Sequence, residues 1–73
     1  MKKPSQKYAD KISESKANIE RFMKAVTKYK LQSKEWIEGV WDDINEWTDG
    51  DEKTYHKYSD LEYELEELTA TLK

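Results

Sequence analysis

The single histidine, His56, lies four residues after Glu52 and four before Asp60. On a helix this i, i+4, i+8 spacing sets the three side chains along one face. Such a triplet can do one of two things: hold a divalent cation between imidazole and carboxylates, or let the histidine act as a base oriented by a carboxylate. Neither is the expected outcome. Helix surfaces generate this spacing often, no second ligand cluster completes a coordination shell, and the chain has no cysteine to offer a thiolate. A solvated face with ordinary charge pairing is expected instead. The run Asp49-Gly50-Asp51-Glu52 faintly resembles a calcium loop, but the glycine and glutamate that close such a loop are absent from their positions, so a turn with helix caps is expected.

Other chemistries find less support. Nucleophilic catalysis needs a serine or cysteine beside a base, ideally on a strained turn with an oxyanion hole. The chain has no strand-turn-helix pattern and only two glycines, too few for a phosphate-cradling loop. The expectation is a protein that is not an enzyme and takes no cofactor and no metal.

Charge carries more information. The net charge is −3, but residues 1–34 hold ten basic and three acidic side chains, whereas residues 35–73 hold three basic and thirteen acidic ones. The halves therefore differ in sign, +7 against −10. In the basic half, Lys7, Arg21, Lys24 and Lys28 are candidates for phosphate contacts, with Lys2 and Lys3 as an extension. Asp10 and Glu14 interrupt that face, and arginine, the preferred reader of bases, occurs once. Direct nucleic-acid binding is therefore the weaker alternative. The plainer electrostatic account packs the basic helix antiparallel beside the acidic ones. In the acidic half, Asp42, Asp43 and Glu46, with Asp60, Glu62, Glu64, Glu66 and Glu67, can display carboxylates to a basic groove built for nucleic acid. In type, the chain resembles the short, acidic, cysteine-free helical proteins with which phages and mobile elements block host enzymes, although no motif identifies a family.

The elements that position these residues follow from apolar periodicity. All three tryptophans, Trp36, Trp41 and Trp47, fall within Ser33 to Gly50. On a helical wheel they share, with Ile37, Val40 and Ile44, a sector roughly 140° wide, which predicts a core-facing helix. A strand would split Trp36 from Ile37 and Val40 from Trp41. Ser33 is a natural N-cap and Gly50 a natural C′ residue. A preceding helix over 5–30, capped by Ser5, carries Tyr8, Ile12, Ser15, Ile19, Phe22, Val26 and Tyr29 in unbroken heptad steps, widened by Met23. A third helix over 52–72, capped by Asp49 or Asp51, carries Thr54, Tyr58, Leu61, Leu65, Leu68 and Leu72 in the same steps, with Tyr63 facing away. Ser59 to Glu62 has capping-box form and offers a rival start for that helix, but the continuous stripe favours the longer one.

The chain is thus expected to be a single all-α domain, an antiparallel three-helix bundle, with residues 1–4 as a tail. Length allows one small core, and no cysteine is present to staple it, so a partner or self-association would help. No apolar run approaches the ~18 residues of a membrane span, and the start of the chain lacks the hydrophobic region of a secretory signal. A cytoplasmic protein of a bacterium, or of an infected bacterial host, is expected. Twelve lysines to one arginine agree with an AT-rich coding genome. The expected function is non-catalytic protein binding, as an inhibitor or adaptor, with a possible homodimer or structural homo-oligomer as the third class. Candidate contacts are Trp36 and Trp41, at opposite edges of the apolar sector, with Trp47, Asp42, Asp43, Glu46, Glu62, Tyr63, Glu66 and Glu67.

Overall fold

The structure is a computed structural model that describes residues 4–48 and 50–72, with side chains in the first helix from Lys7 onward. Three helices account for the architecture: α1 over Pro4–Tyr29, α2 over Lys34–Glu46 and α3 over Glu52–Ala70. Among the described residues there is no strand. The all-α bundle expected from the apolar stripes is what forms.

Helix α1 begins one residue earlier than expected, at Pro4. Ser5 therefore lies inside the first turn and does not cap it; proline suits such a turn because its φ is already helical and it has no N–H to leave unpaired. The proposed tail accordingly loses Pro4, and Met1 to Lys3 lie outside the described residues. The far end of α1 closes in a Schellman motif. The Leu31 N–H reaches the Val26 carbonyl at 3.0 Å and the Lys30 N–H reaches the Thr27 carbonyl at 3.4 Å. Lys30 supplies the left-handed residue, with φ at 52°. Leu31 then packs against the core.

At the start of α2, Ser33 caps as expected, its Oγ accepting from the Trp36 N–H at 3.2 Å. The end of α2 corrects the sequence reading. The helix stops at Glu46, and Trp47 is extended, with ψ at 134°. Gly50 is therefore not the C′ residue of α2. It sits in the turn before α3, buried and at φ 92°, where a side chain would be strained. Asp51 caps α3, its Oδ1 accepting from the Thr54 N–H at 2.6 Å. The alternative cap, Asp49, lies outside the described residues. Helix α3 runs unbroken through Ser59, so the rival start there is not used.

The order up, down, up makes α1 and α3 parallel to each other. Tyr8 meets Tyr55 at 5.7 Å near their N-terminal ends, and Phe22 shares a concavity with Thr69 and Ala70 near their C-terminal ends. The basic helix thus packs antiparallel to α2 but parallel to acidic α3. Ile12, Ile19, Met23 and Val26 of α1, Val40 and Ile44 of α2, and Tyr58 and Leu65 of α3 form the core. Buried Ser15, a small side chain within the α1 stripe, suits the close approach of α1 to α3. Helix α2 is held through its large side chains, with all three tryptophans half-buried against the core. Among the described residues, no helix is long and apolar enough to cross a membrane.

Candidate partner-binding surfaces

Each flank of α2 addresses one neighbour. Trp47 stacks edge-on against Tyr58 of α3, and Lys57 lies over the same indole at 5.9 Å. Trp36 shares that flank by helical spacing. Ile37 sits in a concavity with Thr27 of α1 and Lys30 just past its end, and Trp41, four residues on, shares the α1 flank. The two edges of the tryptophan sector are thus both half-covered, and none of the three indoles is fully buried or fully open.

Outward from these flanks, α2 is a band of carboxylates. Glu35, Glu38, Asp42, Asp43 and Glu46 are all exposed, against one lysine, Lys34, which reaches Glu38 at 3.9 Å. Gly39 lies among them, exposed, with nothing within 4 Å of where a Cβ would sit. The fold does not require a glycine here, since neither clash nor left-handed backbone demands one.

The acidic residues of α3 do not all join this band. Tyr55, Glu62 and Thr69 are seven apart and share the flank that faces α1. Lys11 of α1 lies over the Tyr55 ring at 5.5 Å, and Glu66 lines the Phe22 concavity. Glu62 is half-buried, and its Oε2 is buried without a hydrogen-bond partner. Glu62 and Glu66 therefore border the basic helix. Glu67 is exposed on the outer side of α3, where it accepts a hydrogen bond from Tyr63. That bond to a carboxylate is the first cause holding the Tyr63 phenol above its ordinary pKa, and the charge of Glu67 adds to it. The expected display of carboxylates is thus divided between two faces.

The basic candidates Lys7, Arg21, Lys24 and Lys28 are all exposed, on the side of α1 away from the core. Arg21 donates from Nη2 to Asn18 Oδ1 at 2.9 Å and covers Phe22 at 5.7 Å, and Lys28 covers Tyr29 at 5.2 Å. These are weak surface contacts that leave the cations free to meet an anion.

The turn between α2 and α3 is polar and well bonded. Thr48 donates to Asp51 Oδ2 at 3.3 Å and lies 3.4 Å from the buried Thr54 hydroxyl. The backbone bond from Thr54 is the first cause holding the Asp51 carboxyl below its ordinary range, with the Thr54 and Thr48 side chains adding to it. Asp51 is thus tied into the turn as the N-cap of α3. Glu52 and His56 approach to 3.6 Å on the open surface of α3. Among the described residues, no three histidine or carboxylate side chains converge on a metal site.

Two features escaped sequence reasoning: the inward turn of Glu62 and the placement of Glu66 against Phe22. Both depend on which flank of α3 meets α1, and wheel position supplies that only once the handedness of the bundle is known. Compared with family models, curated proteins and solved structures, the chain matches none. Its class is set by the fold alone, a small all-α bundle.

Proposed function

We propose that this chain is a non-catalytic protein-binding module, an inhibitor or adaptor that works by covering a basic surface of another protein. The observation that carries the reading is the exposed carboxylate band of α2, Glu35, Glu38, Asp42, Asp43 and Glu46, centred on Gly39 and bordered by half-buried Trp36 and Trp41. Carboxylates spaced along a rigid helix can occupy a groove of lysines and arginines that otherwise takes nucleic acid. Tryptophan edges beside them supply the apolar anchors on which protein interfaces concentrate their energy. Glycine lets a partner approach the helix backbone closely at the middle of the band. A cytoplasmic bacterial or phage setting fits this reading.

The test is co-purification from a low-GC bacterial lysate, comparing the tagged chain with its Asp42→Lys/Asp43→Lys/Glu46→Lys variant. Proteins retained by the first and lost by the second support the reading; identical profiles remove it. A second reading rests on the stripe of Lys7, Arg21, Lys24 and Lys28, exposed along the outer side of α1. If it held, duplex DNA would be retained in a salt-sensitive way and released by changes in α1 alone.

A further inference from the structure

We infer that the α1/α3 face, opposite α2, is a self-association surface whose occupant is a second copy of this chain, related by a two-fold axis parallel to the helices. Helix α1 carries six basic and three acidic side chains, and α3 carries two basic and six acidic. The two helices lie side by side and parallel, in the register set by Tyr8 against Tyr55. A net positive helix beside a net negative one is self-complementary under a two-fold along the helices, because each α1 then lies over the partner's α3 at the same height. A two-fold across the helices would set α1 on α1 and is opposed by their like net charge. In the favoured arrangement Lys7 lies level with Glu52 of the second copy, and Arg21 with its Glu66.

Apolar surface sits where this contact needs it. Phe22 is half-buried, and Leu72 is 42% exposed at the matching end of α3. Phe22, Ala70 and Leu72 line one shallow concavity. Tyr63, 64% exposed, stands on the outer rim of α3.

The face lies opposite the carboxylate band of α2, so the inference stands or falls independently of the proposed function.

The test is sedimentation equilibrium of the full chain with two charge-reversal variants, Lys7→Glu/Arg21→Glu and Glu52→Lys/Glu66→Lys, whose sites are all exposed. The native chain should form dimers whose dissociation constant rises about tenfold or more between low and high salt. Each variant alone should be monomeric at concentrations where the native chain dimerises, and an equimolar mixture of the two should restore the dimer. Circular dichroism checks that both remain helical; should either unfold, Leu72→Lys, at an exposed site, decides the matter by weakening the dimer about tenfold or more. A native chain that stays monomeric at low salt, association unchanged by the reversals or by Leu72→Lys, a mixture of folded variants that stays monomeric, or a dimer that forms only with a different protein would overturn the inference.

Discussion

The Trp47 indole meets the Tyr58 ring edge-on, with centroids 4.7 Å apart and planes at 83°. This contact joins the point where α2 ends to the middle of the core. Tyr58 is almost fully buried, and the extended backbone at Trp47 turns the indole onto it. Edge-to-face pairs of this kind contribute about 0.5–1.5 kcal/mol beyond their area. A double-mutant cycle with Trp47→Leu and Tyr58→Leu, read by urea denaturation, should give a coupling of that size. Additive losses would mean that the rings merely share a neighbourhood.

Lys30 holds a left-handed conformation that glycine adopts without strain. Replacing it with glycine keeps the Schellman bonds of Leu31 to Val26 and relieves the Cβ. The gain should be about 0.5–1 kcal/mol after allowing for the freer unfolded chain. In a domain of this size that raises the melting temperature by roughly 2–8 °C. A lower midpoint would show that the Lys30 side chain contributes more than its backbone costs.

Gly39 separates fold from function. Gly39→Ala should stabilise α2 by about 0.5–1 kcal/mol, since the site is exposed and free of neighbours. The same change should weaken partner binding if the partner approaches the α2 backbone there. Calorimetry and the co-purification assay read the two effects separately, and a variant that is both more stable and equally active would remove Gly39 from the contact.

The Asp51 cap makes stability depend on acid. Its carboxyl is held below the ordinary value by the Thr54 amide, so the folded state favours the charged form. The contribution is complete above the unfolded value of about 3.9 and is lost as pH falls through the lower folded value. Asp51→Ala should therefore lower the melting temperature at neutral pH, with the difference from the native chain shrinking below about pH 4. Asp51→Asn should retain much of the cap without that acid dependence. A difference between native and alanine chains that is constant down to pH 2 would assign the effect elsewhere.

Leu65 has no exposed surface and anchors α3 in the core. Leu65→Ala should cost about 2–5 kcal/mol, the usual range for emptying such a site. The apolar stripes of the sequence already place it there, and the same stripes locate Ile12, Ile19, Val26, Val40, Ile44 and Tyr58. Residues that repeat at helical spacing must share a face whatever the neighbours are, which is why the three helices are legible in the sequence. Their ends are less so. Gly50 looks like the stop of α2, but the helix ends at Glu46, where Trp47 is extended and packs on Tyr58, and no local signal encodes that tertiary contact. Lys30 gives no hint of a left-handed cap because its type disfavours one. On the surface, sequence separates basic from acidic helices but does not say which flank of α3 meets α1. Glu62, Glu66 and Asp43 therefore read as one acidic set when they belong to two faces.

The central claim is that the carboxylate band of α2 contacts another protein. Quantitative mass spectrometry of lysate proteins retained by the native chain, by Asp42→Lys/Asp43→Lys/Glu46→Lys and by Arg21→Glu/Lys24→Glu/Lys28→Glu tests it most directly, with each chain first shown to be folded. The account predicts one or a few basic-surfaced proteins retained by the native chain and by the α1 variant and lost from the α2 variant. Retention that survives reversal of α2 but vanishes with reversal of α1, or that consists of nucleic acid alone, would contradict it.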